Sequence, residues 1–155
     1  MVSPPHGFGT DMDLDELLAR QTIHDVEMRY LRGMDRQDWE AVRSCYHPNA
    51  IHDHGSWRGT IEDFIEHETG VYARFTVNTH LGANELIEVD GDEARCELYS
   101  VCWHRMAPTS DSPAADLIAG MRYFDVLQRR EGQWRIADRK VVLDWQRTDP
   151  IGSAC

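Results

Sequence analysis

The segment that decides the fold is residues 86–106, LIEVDGDEARCELYSVCWHRM, which has the pattern of two strands joined by a tight turn. The turn is Asp90-Gly91-Asp92, and glycine readily adopts the backbone conformation that a short hairpin needs. The predicted strands on its two sides are residues 76–89 and 93–106. The segment therefore predicts a long antiparallel hairpin.

Toward the C-terminus, two more strand patterns follow. They cover residues 117–130 and 133–145, and Glu131-Gly132 forms the turn between them. A polar loop with two prolines, residues 107–115, separates them from the first hairpin. Four consecutive strands with these connections predict an antiparallel meander.

Toward the N-terminus, residues 13–34 predict a long helix. Apolar side chains recur there at spacings of three to four, and Asp11 and Asp13 are candidate N-terminal caps. Gly33 weakens the helix near its end.

Two shorter helices are predicted between the long helix and the meander. Asp38 caps the first of them, and Pro48 ends it. A short strand at residues 50–54 and a loop at residues 55–59 come next. Thr60 begins the last helix, which ends near residue 70. The apolar face of that helix consists of Ile61, Phe64, Ile65 and Thr69.

Helices that precede an antiparallel sheet in the sequence predict an α+β fold. A strongly curved sheet wrapped over these helices would leave a pocket between the two layers, where small ligands bind. A chain of 155 residues has the size of one domain. We expect that domain to cover residues 13–147, with tails at 1–12 and 148–155.

Charge and composition exclude several classes of partner. A net charge of −11 disfavours binding to nucleic acid and to anionic membranes. No apolar run approaches the roughly 20 residues of a membrane helix, and the first ten residues lack the order of a signal peptide. We therefore expect a cytoplasmic protein without nucleic-acid or membrane partners.

The sequence contains one possible metal-binding motif. His52-Asp53-His54 places two imidazoles on one face of a strand, but no third ligand is evident beside them. The four cysteines have no CxxC spacing and are expected to be reduced. No nucleotide-binding, serine-hydrolase or metalloprotease motif is present. We expect neither a metal nor a cofactor.

The candidate catalytic residues lie in two short segments, Gly33 to Trp39 and Asn78-Thr79-His80. Asp35 stands where the helical pattern ends, and His80 stands early in the first long strand. A carboxylate that orients and charge-balances a histidine makes a general base. The alternative is an ordinary turn aspartate and an ordinary strand histidine.

Four motifs, in this order, carry a resemblance to a known family. They are Leu14 to Arg20, Tyr30 to Trp39, Cys45 to Ala50 and Arg130 to Arg139. The chain resembles the SnoaL-like branch of the nuclear transport factor 2-like superfamily from about residue 14 to residue 145. The resemblance implies a cone-shaped half-barrel, with three N-terminal helices packed on a curved, mainly antiparallel mixed sheet that encloses a pocket. It also implies a homodimer or homotrimer.

The site is similar to those of the scytalone dehydratase, bile-acid 7α-dehydratase and hexachlorocyclohexane dehydrochlorinase families, which use an Asp–His dyad. Asp35 and His80 match the dyad. Tyr30 matches a tyrosine of the bile-acid enzymes, Arg139 matches an arginine of the last strand, and His104 matches the second histidine of the scytalone dehydratases.

Two departures limit the resemblance. Met34 replaces the tyrosine that precedes the aspartate in scytalone dehydratases. Tyr30 replaces a lysine of the dehydrochlorinases, which makes halide elimination less suited to this chain.

The resemblance implies a role for each of the five catalytic candidates. His80 abstracts a proton, Asp35 orients it, Tyr30 polarises a carbonyl, and His104 or Arg139 assists the leaving group. Plain core roles for Tyr30 and His104, and a structural ion pair for Arg139, stay open. The substrate-binding candidates are Tyr46, Trp57, Leu98 and Tyr123.

These observations favour a cofactor-independent lyase of the dehydratase type, or an isomerase. Its partner would be a small hydrophobic, oxygenated molecule such as a polyketide, an aromatic compound or a steroid-like compound. The alternatives are a non-catalytic ligand-binding domain and the structural β-subunit of a ring-hydroxylating dioxygenase.

Overall fold

The computed structural model describes residues 13–151 and has the predicted order of helices followed by a meander. The helices are α1 (Leu14–Arg36), α2 (Trp39–Ser44) and α3 (Ile61–Tyr72). The strands are β1 (Tyr46–Asp53), β2 (Arg58–Thr60), β3 (Phe75–Asp90), β4 (Glu93–Met106), β5 (Ala115–Arg130) and β6 (Gln133–Pro150). The prediction for residues 1–12, including the possible cap Asp11, lies outside the described residues.

Each helix begins at a capping residue whose side chain accepts a hydrogen bond from a backbone amide in the first turn. Asp13 accepts a hydrogen bond from the amide of Glu16 at the start of α1, and Asp38 accepts one from Ala41 in α2. Thr60 and Asp63 bond reciprocally in a capping box at the start of α3. These caps confirm the three predicted starts.

The strands form one open sheet in the order β2-β1-β6-β5-β4-β3. All neighbouring pairs are antiparallel except β1 and β6, which are parallel. The sheet does not close into a barrel, and the predicted cone-shaped α+β architecture is confirmed. Register shifts in β3, between Phe75 and Val77 and between Ala83 and Leu86, mark irregularities of the kind that bend a strand.

The concave side of the sheet and the helices share one core. The core includes Ile23 and Val26 of α1, Phe64 of α3, and Leu127 and Ile136 of the sheet, all at most 2% exposed. Burial of this apolar surface is the main stabilising contribution to the fold. The convex side keeps large apolar side chains such as Trp103 and Trp145 about half exposed.

Several predicted boundaries differ from the structure. Pro48 does not end α2, because that helix already stops at Ser44 and Pro48 lies inside β1, where proline lacks only an amide donor. The predicted loop at residues 55–59 contains part of β2, which pairs with β1. Thr69 is exposed and does not lie on the apolar face of α3. Its hydroxyl donates a hydrogen bond to the backbone carbonyl of Ile65.

The end of the last strand also differs from its predicted position at residue 145. Strand β6 continues to Pro150, because residues 148–150 pair with residues 115–117 of β5. Residues 152–155 lie outside the described residues. No helix among residues 13–151 is both long enough and apolar enough to cross a membrane.

Candidate active site

Asp35 and His80, the two residues predicted to form a dyad, are hydrogen-bonded. Asp35 Oδ1 lies 2.7 Å from His80 Nδ1. The His80 side chain is 4% exposed and that of Asp35 is 25% exposed. The structure therefore brings together two residues that are 45 positions apart in the chain.

The end of α1 fixes the position of Asp35. Gln37 adopts a left-handed conformation with φ 53°, and its amide and that of Asp38 close the last turn on the carbonyls of Met34 and Gly33. A Cβ atom at Gly33 would lie 2.8 Å from Val42 Cγ2, so glycine lets α2 pack closely against α1 there. Gly33, which was predicted to weaken α1, is therefore needed for the close packing of α1 and α2.

The ionic partner of His80 controls its protonation. Burial favours the neutral imidazole and lowers the pKa of His80, but hydrogen bonds to Asp35 and Cys102 outweigh burial and raise that pKa to about 9. At neutral pH His80 therefore carries a proton, and Asp35 balances its charge. Because Nδ1 is bonded to Asp35, Nε2 is the nitrogen left to face a substrate.

His104 lies beside His80 but has the opposite protonation. Their ring centroids are 5.2 Å apart. Burial, together with the positive charges of His80 and Arg74, lowers the pKa of His104 to about 4. His104 is therefore neutral at neutral pH. It donates from Nδ1 to Asn78 Oδ1 at 2.8 Å, which leaves its Nε2 as an acceptor.

The pairing of β3 with β4 produces this arrangement. His80 lies directly opposite Cys102 and Asn78 lies directly opposite His104 in the register. Side chains two residues apart on a strand share a face, so all four point to the concave side.

His80 and His104 border a cavity of about 150 Å³ between α1, α3 and the sheet. Tyr72 of α3 places its hydroxyl 3.5 Å from His80 Nε2. Among the remaining lining side chains, apolar ones are Met34, Val71, Phe75, Leu117, Ala119 and Met121, and polar ones are Tyr30, His54, Glu68, Arg74, His104, Tyr123 and Gln146. Nine of the fifteen lining residues carry a polar group, but apolar atoms make up most of the wall surface, as in sites for small organic ligands.

A larger depression of about 470 Å³ lies elsewhere, along β3, β4, β5 and β6. It is more open and is bordered largely by charged residues such as Glu88, Arg95 and Lys140. We take the smaller cavity as the candidate active site, because a histidine–carboxylate pair opens into it and none opens into the larger one.

The predicted site residues divide into two groups. Tyr30, His80, His104 and Tyr123 line the cavity, and Asp35 supports His80. Arg139, Tyr46, Trp57 and Leu98 are not among its lining residues.

Arg139 lies in a buried ionic cluster, which we define as Arg139, Asp125 and Glu27. Its guanidinium donates two hydrogen bonds of 2.7 Å to the Asp125 carboxylate and another to Glu27, and all three side chains are 0% exposed. The guanidinium also lies 4.0 Å from the ring centroid of Tyr30 and 4.9 Å from that of Tyr123. Arg139 therefore lies behind two of the rings that line the cavity and makes a structural ion pair, with Asp125 and Glu27 rather than with Asp35.

The three substrate-binding candidates outside the cavity have other contacts. Tyr46 bonds through its hydroxyl to His52 Nδ1 at 3.0 Å. Trp57 packs against Phe64 and over Gly59. Leu98 is 1% exposed in the core.

The two histidines of His52-Asp53-His54 share a face, as predicted, but they are part of the aromatic core. The His52 ring stacks on Phe64 at a centroid distance of 3.8 Å and on His54 at 5.7 Å. Burial lowers the pKa of both histidines.

Sequence reasoning missed Tyr72, Glu68 and Asn78 as members of the site. Tyr72 and Glu68 follow Phe64 at intervals of four, so extending the apolar face of α3 by two turns would have found them. Asn78 precedes His80 by two residues on the same strand. Because such residues point to the same face of a sheet, this spacing could have indicated that Asn78 lies in the site.

The fold and the motifs are similar to those of known proteins. The family model described as the SnoaL-like domain matches residues 15–140. The chain belongs to the SnoaL-like family. This family is part of the nuclear transport factor 2-like superfamily, so the predicted resemblance is confirmed. No curated protein matches the chain at a significant level.

Solved structures similar to this SnoaL-like chain include two with named activities. Hexachlorocyclohexane dehydrochlorinase LinA-type3 from Novosphingobium barchaimii has a TM-score of 0.77 and 20% identity, over 88% of this chain and 94% of that one. A candidate scytalone dehydratase from Novosphingobium aromaticivorans has a TM-score of 0.73 and 20% identity, over 89% and 96%. At these identities the similarity shows the fold alone.

A third structure is more similar in sequence. Rv3472 from Mycobacterium tuberculosis, described as a protein of unknown function, has 28% identity and a TM-score of 0.70, over 88% of this chain and 78% of that one. It therefore supports the fold and assigns no reaction.

Proposed function

We propose that this SnoaL-like protein is a cofactor-independent lyase of the dehydratase type. It would remove water from a small hydrophobic β-hydroxy carbonyl compound, with His80 and Asp35 as the general-base dyad. The observation that carries the proposal is the 2.7 Å hydrogen bond between Asp35 and a histidine whose other nitrogen faces a mostly apolar cavity. Similar folds in a dehydrochlorinase and a candidate scytalone dehydratase support elimination as the reaction class.

The first step is removal of the proton next to the carbonyl. Neutral His80 accepts it on Nε2, and Asp35 stabilises the imidazolium that forms. The hydroxyl of Tyr72 or Tyr30 can donate a hydrogen bond to the developing enolate oxygen. Burial raises the pKa of both tyrosines, which keeps them protonated as donors.

The second step breaks the bond between carbon and the β-hydroxyl. The imidazolium of His80 can return its proton to the departing oxygen, which leaves as water and restores the neutral base. His104 is neutral and donates to Asn78, so its low pKa does not support the predicted role as the acid. Arg139 is enclosed in the buried ionic cluster and does not take part in this proposal.

The cavity volume limits the substrate. About 150 Å³ holds roughly one six-membered ring, as judged from apolar cavities of that size that bind benzene. We therefore favour a single-ring compound over the polyketide and steroid-like molecules, which would require the cavity to open.

A direct test uses β-hydroxycyclohexanone, which loses water to give the conjugated enone cyclohexenone. Enone formation is followed by ultraviolet absorbance. In parallel, α-proton exchange of cyclohexanone in deuterated water, measured by NMR, reports proton abstraction without any leaving group. The proposal expects both activities in the wild-type protein and their loss in His80→Gln.

His24→Gln is the matched control. His24 also pairs with a carboxylate, Glu85, at 2.8 Å, but its side chain is 42% exposed and does not line the cavity. Equal activity in wild-type and His80→Gln protein would contradict the proposal. Saturable binding of ring ketones with no exchange would favour the ligand-binding alternative. The predicted homodimer or homotrimer stays a prediction.

A further inference from the structure

Three potential metal ligands that the proposed reaction does not use as a set meet at the cavity wall, where His80 and His104 are lining residues. His80, Cys102 and His104 each offer one ligand atom, and these atoms all lie within 4.8 Å of one another. All three side chains are largely buried; Cys102 is 0% and His104 is 6% exposed. Two imidazoles and a thiolate are the ligand types that Zn²⁺ prefers.

The two histidines are already oriented as metal ligands usually are. His80 bonds through Nδ1 to a carboxylate, that of Asp35, and His104 bonds through Nδ1 to the amide oxygen of Asn78. Histidines that bind metals typically donate their second ring nitrogen to such partners, which fixes the tautomer and leaves Nε2 for the metal.

The third ligand comes from the same stretch of sheet. Cys102 lies opposite His80 in the strand register and two residues before His104. Its sulfur contacts Met121 Sδ at 3.9 Å and Ser100 Oγ at 3.7 Å, and it also hydrogen-bonds with the imidazole of His80. The pairing of β3 with β4 therefore brings the three ligands to one point on the concave face.

We propose that His80, Cys102 and His104 bind a Zn²⁺ ion that blocks the dyad. With zinc–nitrogen bonds of about 2.0 Å and a zinc–sulfur bond of about 2.3 Å in tetrahedral geometry, neighbouring ligand atoms lie roughly 3.3–3.5 Å apart. The side chains must therefore close on the ion by roughly 1 Å. Binding releases the thiol proton and any proton on His80, and it occupies the Nε2 atom that would act as the base.

The binding does not depend on the proposed function, although the inhibition does. A bound Zn²⁺ would prevent proton abstraction by His80, so chelation would restore activity. This reversible block is the only part of the inference that requires the chain to be a lyase.

Binding is tested with Co²⁺, which replaces Zn²⁺ and gives a thiolate-to-metal charge-transfer band in the near ultraviolet. The full-length, reduced protein is titrated with Co²⁺ and then with Zn²⁺. We expect one equivalent of Co²⁺ to produce the band and one equivalent of Zn²⁺ to remove it. Cys102→Ser should abolish the band, and His104→Ala should weaken Co²⁺ binding at least tenfold.

Cys96→Ser is the matched control, because Cys96 is also buried on β4 but is not part of the three-ligand group. A second control is Cys155→Ser. Both should keep the wild-type band. Circular dichroism establishes that each variant is folded, and Cys102→Ala replaces Cys102→Ser if the serine variant is not.

Two outcomes would overturn the inference: no charge-transfer band in the wild-type protein, or an equal band without the Cys102 thiol. Asp35→Asn separates the inference from the proposed function. It should reduce activity while retaining the band, with Co²⁺ affinity lowered about 10-fold through loss of the supporting carboxylate.

Discussion

The dyad and the buried ionic cluster are two charged groups with opposite surroundings. Asp35 and His80 meet at the wall of a cavity, where one histidine nitrogen remains available. Arg139, Asp125 and Glu27 are each 0% exposed and face one another below the tyrosine rings. Charge alone therefore does not identify a candidate catalytic group; access to a cavity distinguishes the first region from the second.

The two regions should respond to substitution in opposite ways. A change in the dyad should remove activity and leave the fold. A change in the buried ionic cluster should weaken the fold, and should affect activity mainly through the fraction of protein that is folded. The following predictions test this contrast in order of expected effect.

The largest effect is expected for His80→Gln. It should lower enone formation from β-hydroxycyclohexanone by about 10²–10⁴-fold, the usual contribution of general-base catalysis. Circular dichroism should show that the variant stays folded, but its free energy of unfolding at neutral pH should fall, because the raised pKa of His80 stabilises the fold below that pKa. The His24→Gln control should keep wild-type activity. A comparable loss of activity in that control would show that the effect is not specific to His80.

The next effect is expected for Arg139→Met. Removing the guanidinium leaves two buried carboxyl groups without a cation, which should cost about 3–5 kcal/mol of the free energy of unfolding. The control is Arg147→Met, because Arg147 makes an exposed pair with Asp149 and should contribute about 0–1 kcal/mol. Loss of activity in Arg139→Met protein that remains fully stable would instead place Arg139 in the catalytic machinery.

A smaller effect on activity is expected for Asp35→Asn. The amide can still contact His80, but it no longer stabilises the imidazolium, so the rate of α-proton exchange should fall by about 10²-fold. The pKa of His80 should move down from about 9, which NMR titration of the imidazole measures. An unchanged histidine titration would show that Asp35 does not control the protonation of His80.

The pH dependence of activity follows from the same pair. A base must be neutral, and His80 is protonated below its pKa of about 9. The kcat/KM for proton abstraction should therefore rise by up to about tenfold per pH unit below that value and level off above it. A profile that falls across this range would indicate that the imidazolium acts as an acid in the rate-limiting step.

The smallest effect concerns Glu27. Burial raises the pKa of Glu27, with Arg139 opposing the shift and Asp125 adding to it. The folded state therefore holds this proton at pH values where the unfolded state has lost it. As pH rises above the ordinary glutamate value of 4.5, Glu27 should lower the free energy of unfolding by up to about 1.4 kcal/mol per pH unit until it ionises in the folded state. Urea titrations at several pH values measure this decrease in the free energy of unfolding. The decrease caused by Glu27 should be absent from the Glu27→Gln variant.

Local patterns predicted much of the fold. The glycine turn at residues 90–92 and the aspartate caps act through neighbouring backbone groups, so they could be identified from sequence alone. The boundaries that differed depend on distant partners: β2 exists because it pairs with β1, and β6 extends to Pro150 because β5 runs beside it.

The sequence by itself determined the order of elements apart from β2, the family resemblance and the two residues that we propose as the dyad. Only the tertiary structure decided that Arg139 faces Asp125 and Glu27, that Tyr72 reaches His80, and that Cys102 completes a group with two histidines. The physical reason is that hydrophobic periodicity specifies which face of an element is buried. The particular side chains that meet there depend on strand register and on the packing of α1 and α3 over the sheet.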